Sequence, residues 1–320
     1  METREEILRI CSLGLREVLS KLQADYQSVQ EIRLRAGQPL LVRTEAGEFF
    51  VAPDGSLVRE WKQGVCISVK EIRDTLECVG SYSLYAYEEE LRQGFLTVQG
   101  GHRVGIAGKA VIEQGRIRTI KNISFLHIRI AHEKKGCADT IMPWLYEPGQ
   151  TLPCHSLLLS PPGCGKTTLL RDLIRQLSNG SSTALEGVCV GVVDERSELA
   201  ACYLGIPQND LGRRTDVLDG CPKSEGMMLL LRSMSPQVLA VDEIGSQTDL
   251  QAVRYAAGSG CQVLATAHGG SIEELLRKWG ETWDNGIFER YILLSRVEGA
   301  GTVEEICDGS GRRLYKRKGA

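Results

Sequence analysis

The sequence is poor in what several functions require. Aromatic residues make up only 6% of it. Outside the C-terminal tail they are not interleaved with basic residues into a run that could stack and clasp single-stranded nucleic acid. Lysine and arginine together (38) do not outnumber aspartate and glutamate (41), so whole-chain charge gives no bias toward a polyanion. None of the 11 cysteines stands in a C-x-x-C pair, and the five histidines do not cluster with them. A zinc site therefore has no ligand set at the usual spacing, and the thiols read as reduced, buried fillers. No apolar run approaches the roughly 20 residues of a membrane span. The charged start, METREEILRI, has no signal-peptide core. Instead the chain offers 320 residues, 42% apolar and 25% charged, enough for two globular domains with cores of their own.

The first half mixes helix and strand. Thr3 and Glu6 have capping-box spacing and predict a helix through about Lys21. EIRLRAGQPLLVRT alternates Ile32 and Leu34 with Arg33 and Arg35 and turns at Gly37-Gln38-Pro39, a hairpin with one charged face. Ser68 and Glu71 cap a second helix that ends near Gly80, and LYAYEEELRQ reads as a short third. GFLTVQGGHRVGIAGKAV and RIRTIKNISFLHIRI are further strands. This pattern predicts an α+β domain over 1–135. A Gly- and Pro-bearing stretch at 136–152, with a short helix around Ala138–Leu145, is expected to link it to the rest.

From residue 153 to 320 the rhythm changes. Apolar strands recur at SLLLS, VCVGVVD, QVLAVDE, QVLATAH and YILLS, separated by helical stretches. Strands buried on both faces and alternating with helices predict an α/β domain with a mainly parallel sheet. Thr248 with Gln251, and Ser271 with Glu274, mark two helix starts.

SLLLSPPGCGKTTLLRD, Ser156–Asp172, carries the chemistry. A phosphate group needs several donors at close range. Backbone N–H groups supply them where no Cβ intrudes, which explains Gly163 and Gly165. A helix starting near Lys166 aims its positive end at the same point. Ser160, Pro161, Pro162, Gly163, Cys164, Gly165, Lys166, Thr167 and Thr168 thus read as an ATP-binding loop. Lys166 would reach the β- and γ-phosphates and the Thr167 hydroxyl would ligate Mg²⁺. Ser160 stands where the motif has its first glycine, and Cys164 has no base near it in sequence and reads as a plain loop residue.

About 75 residues on, Val238–Val241 ends in Asp242-Glu243. At the carboxyl end of a strand in a parallel sheet, Asp242 suits the second Mg²⁺ partner and Glu243 the residue that polarises the attacking water. VCVGVVDERSELA ends in Asp194, Glu195 and Arg196, and makes Glu195 the alternative base. LATAHGGS places Thr266 and His268 at a third strand end, where a polar residue could sense the γ-phosphate. Arg103, Arg129, Arg196, Arg213 and Arg214 are candidates for an arginine supplied by a neighbouring subunit.

EIRLRAGQPL, SPPGCGKTTLLRD, VVDERSE, VLAVDEIG and ATAHG together resemble the stage III sporulation protein AA family of spore-forming bacteria, from about Ile32 to Ile306. That family is similar to the ATPases of type II and type IV secretion and type IV pili. The resemblance implies a RecA-like P-loop domain after the α+β domain, and a ring of identical subunits, a hexamer, that hydrolyses ATP with Mg²⁺. It places the phosphate loop on Gly163, Gly165, Lys166 and Thr167. The acidic box falls on Asp194 and Glu195, the second acidic strand on Asp242 and Glu243, and the histidine box on His268. It further implies N-terminal arginines at the nucleotide, loosely matched by Arg103 and Arg129. It implies a cytoplasmic location on the mother-cell side of the forespore membrane, held there by membrane proteins of the same operon. The acidic box departs from the pilus-motor pattern: it reads Asp-Glu-Arg, not Glu-Asp-Pro. The basic end, GRRLYKRKGA, reads as a solvated tail that could touch anionic lipid. Two alternatives stay open: a RecA-like motor on single-stranded nucleic acid, and a nucleotide switch that assembles without hydrolysis.

Overall fold

The computed structural model describes residues 2–80, 94–180, 186–280 and 286–317. It divides into two compact units, Met1–His132 and Glu133–Ala320. The expected third helix, LYAYEEELRQ, lies outside the described residues.

The first unit is a seven-stranded sheet with helices on one face. Its strands are β1 (Val29–Arg35), β2 (Leu41–Thr44), β3 (Gly47–Val51), β4 (Leu57–Val58), β5 (Phe95–Thr97), β6 (Arg103–Glu113) and β7 (Arg116–Arg129). They run antiparallel in the order β4-β3-β2-β1-β7-β6-β5. Ile32 and Leu34 point with Val104, Leu126 and Ile128 into a core closed by helices α1 (Glu2–Arg9), α2 (Leu13–Ser20) and α3 (Val69–Val79). The capping box of α3 forms as expected between Ser68 and Glu71, and Gly80 ends the helix. The N-terminal helix does not run through to Lys21. It breaks at Ser12, whose hydroxyl caps α2 by accepting from Leu15 N while its own N–H donates to Thr75 Oγ1 on α3. Thr3 lies inside α1 and does not cap it.

The second unit is an eight-stranded sheet: β8 (Ser156–Ser160), β9 (Val190–Asp194), β10 (Thr215–Asp219), β11 (Val238–Val241), β12 (Gln262–His268), β13 (Arg290–Ser295), β14 (Thr302–Asp308) and β15 (Arg313–Lys316). Their order is β10-β9-β11-β12-β8-β13-β14-β15, parallel through β13 and antiparallel beyond it. The apolar run of β8 is explained by cover on both faces. Leu158 packs with Leu169, Leu173 and Leu177 of helix α4 (Lys166–Asn179). Leu157 and Leu159 face the opposite cluster, with Met227 of α5 (Lys223–Ser233), Val253 of α6 (Gln247–Gly258) and Leu275 of α7 (Ile272–Trp279). Helix α4 ends, as its Asn179-Gly180 suggests, with Gly180 at φ +74°.

Five expectations change here. Residues 136–152 are not a free linker. Ala138, Ile141 and Leu145 are buried in the second unit's core, and Ala138 N donates to Asp172 on α4. Arg290 fastens the same stretch through Trp144 O and Glu147. The helix expected around Ala138–Leu145 is a turn followed by one 3₁₀ turn, Met142–Trp144, where Pro143 interrupts an α-helix. The basic tail forms β15 through Lys316, and Arg313 and Arg317 meet Glu305, Glu304 and Glu298. Helix α6 is capped by Ser246 with Asp249, not by Thr248 with Gln251. Ser271 does cap α7 at Glu274 N, but the Glu274 carboxylate accepts from Gly270 N instead of the cap's own N–H.

Ser246→Ala is expected to lower the unfolding free energy by about 1 kcal/mol in urea titrations. Thr248→Ala should stay within about 0.5 kcal/mol; equal losses would reassign the cap.

Candidate functional site

All the expected site residues of the second unit except Arg213 and Arg214 stand at the carboxyl edge of its parallel strands, where an open α/β sheet presents ligand groups. Gly163 and Gly165 have φ of +72° and +89°, a left-handed conformation costly for any other residue. A Cβ on Gly165 would also lie 2.7 Å from Gly301 N. Ser160 is not among the positive-φ residues, and it ends β8 with its carbonyl accepting from Gly269 N. A glycine is therefore not needed at that position.

Lys166 opens α4 and is buried. Its ammonium donates to Ser160 O (3.1 Å), Ser160 Oγ (3.3 Å) and Pro161 O (3.3 Å), and meets His268 Nδ1 at 3.0 Å. Burial pulls its pKa below the ordinary lysine value, while Asp242 and Glu243 hold it up. Thr167 Oγ1 donates to Asp242 Oδ2 at 2.7 Å. The other Asp242 oxygen accepts from Thr266 Oγ1, and that same hydroxyl oxygen accepts from Glu243 N at 2.8 Å.

Glu243 is a non-glycine residue at φ +53°, the kind of strained position that persists only where its surroundings hold it. His268 Nε2 lies 3.0 Å from Glu243 Oε1, and Arg196 Nη1 donates to Oε2 at 3.2 Å. Because an ammonium can only donate, Nδ1 of His268 accepts from Lys166. Nε2 then carries the proton given to Glu243. A continuous line, Lys166–His268–Glu243–Arg196, joins three strand ends.

The loop glycines, the buried lysine and the Thr167–Asp242 pair fit a nucleotide phosphate chain with Mg²⁺. A Cβ at either glycine would be strained, and a hydroxyl with a carboxylate 2.7 Å away is a hard oxygen pair of the kind Mg²⁺ takes.

A profile of the family described as "Sporulation stage III, protein AA" matches residues 1–314. The chain belongs to the stage III sporulation protein AA family. It is 38% identical over 98% of both chains to stage III sporulation protein AA of Bacillus subtilis (strain 168). Among solved structures, its fold is similar to the pilus retraction motor PilT with bound ADP (TM-score 0.58, 15% identity, 98% of this chain and 84% of that one). It is also similar to the Legionella pneumophila ATPase DotB (TM-score 0.56, 15% identity, 88% and 78%). At those identities the likeness shows the fold alone.

The remaining candidates in this family member lie as follows. Strand β9 adjoins β11, not β8, so Glu195 is three strands from the loop strand. Glu195 pairs with Lys223 at the start of α5, and both line a cleft with Arg196, Asp242 and Glu243. Lys223 carried no signal in the sequence, since nothing local announces that α5 begins beside β9. Asp194 is buried and accepts from Glu198 N and Ala200 N, both at 2.8 Å, so it ties down its own loop. Cys164 is buried, with Sγ toward Pro162 O. Arg213 and Arg214 precede β10 at the opposite sheet edge, where Arg214 holds Ser178 O at the end of α4. In the first unit Arg103 and Arg129 are direct cross-strand partners, and Arg103 stacks 4.4 Å from the Phe95 ring centre.

Two outcomes follow. Thr266→Val removes the hydroxyl shared by Asp242 and Glu243 N, and should lower unfolding free energy by about 1–3 kcal/mol. Burial raises the Asp194 pKa from the ordinary 3.8 to about 6. Folding thus takes up a proton, and the stability this confers is complete below about pH 4 and lost as pH rises through about 6. Urea unfolding of the wild type should show a fall on the order of 2–3 kcal/mol between those values, absent from Asp194→Asn. Parallel pH profiles for the two proteins would refute it.

Proposed function

We propose that this protein is a Mg²⁺-dependent ATPase of the secretion-motor type. The observation carrying this reading is the left-handed Gly163–Gly165 turn delivering a buried Lys166 to the strand edge where Asp242 and Glu243 stand. The loop amides and Lys166 hold the β- and γ-phosphates. Thr167 and Asp242 hold Mg²⁺, which when bound neutralises charge on the phosphate chain. Glu243 takes the proton of the attacking water, and its left-handed backbone, braced by Thr266, fixes the carboxylate's direction. Catalysis on this account is mostly positioning and electrostatics.

Glu243 is preferred to Glu195 as base because it lies on the hydrogen-bonded line from Lys166, whereas Glu195 is bound to Lys223. Subunits form a ring, a hexamer, in which Arg103 and Arg129 are offered to a neighbour's nucleotide. Arg196 is already occupied by Glu243 of its own chain. In the cell the ring sits on the mother-cell side of the forespore membrane and works through membrane proteins of its operon. Among the described residues no helix is long and apolar enough to cross a membrane, which agrees with docking through such partners.

A second reading draws on a specific observation. The exposed face of β1, β7, β6 and β5 gathers Arg33, Arg35, Arg103 and Arg129 with Phe95 and Phe125. No contiguous stretch of sequence contains that basic–aromatic set, yet it is the surface a single-stranded nucleic-acid motor would use. ATPase stimulation by single-stranded DNA that fades with salt would favour this reading.

Lys166→Ala should abolish ATP binding or turnover. Glu243→Gln should bind ATP normally and lose turnover by about 10²–10⁴-fold, measured as phosphate release alongside size-resolved oligomeric state. Normal turnover in Glu243→Gln with a dead Glu195→Gln would move the base to Glu195. Tight ATP binding without phosphate release by the assembled ring would favour the non-hydrolysing switch.

A further inference from the structure

The turn joining β13 to β14, residues 296–301, is packed onto the phosphate loop. Gly301 N donates to Cys164 O at 2.7 Å. A Cβ on Gly165 would meet Gly301 N at 2.7 Å, the Ala300 carbonyl carbon at 3.0 Å and the Ala300 Cβ at 3.2 Å. The turn holds its own shape: Thr302 Oγ1 donates to Gly299 O at 2.7 Å and accepts from Glu298 N at 3.2 Å. From this braced turn Arg296 reaches over the loop. Its Nη1 lies 3.7 Å from where a Cβ of Gly163 would stand, with no other heavy atom of the described residues within 4 Å beyond the immediate chain neighbours.

The other arginines on these strands are spent on carboxylates. Arg290 meets Glu147, Arg313 meets Glu305, and Arg317 meets both Glu298 and Glu304. Glu298 and Glu304, the first two acidic residues after Arg296 in sequence, are thus both engaged by Arg317. Arg296 is exposed, and among the described residues no carboxylate pairs with it. An arginine set beside Gly163 of the proposed phosphate loop, with the adjacent acids already taken, is arranged for an anion. A guanidinium fits phosphate oxygens in a fork that a lysine cannot reproduce.

We infer that Arg296 is a second cation of the nucleotide site, supplied by the β13–β14 turn of the same chain, and that it binds the phosphate chain of a nucleoside di- or triphosphate. The inference rests on the phosphate-loop reading above and adds a residue that reading does not contain. It also gives the turn a task. The segment that touches Cys164 O and carries Arg296 continues directly into β14, so the nucleotide is gripped from the C-terminal strands as well as from α4.

The test uses the full chain with fluorescent ATP and ADP in Mg²⁺, and with inorganic tripolyphosphate as competitor. Arg296→Ala should weaken ATP, ADP and tripolyphosphate alike by about tenfold or more, with an unchanged thermal unfolding midpoint. Arg296→Lys should recover part of the loss. ATP binding by Arg296→Ala within twofold of wild type overturns the inference and leaves the phosphate loop standing. Weakened ATP with unaltered tripolyphosphate places Arg296 on the base or ribose and equally overturns it. Should wild type bind no ATP, or Lys166→Ala bind it normally, the phosphate-loop reading fails and Arg296 falls with it.

Discussion

The site depends on the Asp242 carboxylate. One oxygen takes the Thr167 hydroxyl from the first turn of α4, the other the Thr266 hydroxyl from β12. A single side chain therefore fixes the distance between the end of β11, the start of the loop helix and the neighbouring strand. Thr266 passes the constraint on, since its oxygen accepts from Glu243 N and its carbonyl from Ile244 N. Those two bonds hold Glu243 in its left-handed conformation. Without the shared carboxylate, loop and catalytic candidate would be joined only through His268 and by packing, which tolerates shifts that phosphate chemistry does not.

That arrangement requires strand order as well as residue type. Between the loop strand β8 and the acidic strand β11 stands β12, and its last residues, Thr266 and His268, are the only polar means of crossing the gap among the described residues of that strand. In the register observed, His268 is level with Ser160, and Ala265 with Val241. The histidine thus meets Lys166 on one side and Glu243 on the other. A shift by one residue would bury His268 and turn Ala267 toward the gap, because strand side chains alternate between faces.

Much of this was legible from residues alone. The strands SLLLS, VGVVD and VLAV, the loop glycines, and the Ser68–Glu71 cap carry their signals locally, in apolar runs or in fixed offsets. What the sequence concealed depends on partners distant along the chain. The break at Ser12 is fixed by Thr75, sixty-three residues away. The stretch 136–152 looked like a linker because Gly136, Pro143, Pro148 and Gly149 punctuate it and its apolar periodicity is poor, yet Asp172 and Arg290 anchor it. The tail looked solvated because its basic residues give no pattern, while the glutamates that pair with it lie on β14 and the turn before it. The basic–aromatic face of the first unit was hidden for the same reason: its members come from four strands.

The line Lys166–His268–Glu243 bears on how binding could be coupled to chemistry in the proposed ATPase. Lys166 has three protons, and its described acceptors are three loop oxygens and the histidine nitrogen. A phosphate oxygen competes for those protons with a full negative charge, against which a neutral ring nitrogen is the weaker acceptor. If the bond to His268 is the one surrendered, Nδ1 loses its donor and the ring is free to turn. Glu243 would then lose the Nε2 proton that holds Oε1, leaving that oxygen to accept from water. A carboxylate bound to Lys223, as Glu195 is, has no comparable link to the loop. The proposed preference for Glu243 as base therefore rests on a connection that nucleotide binding itself would alter.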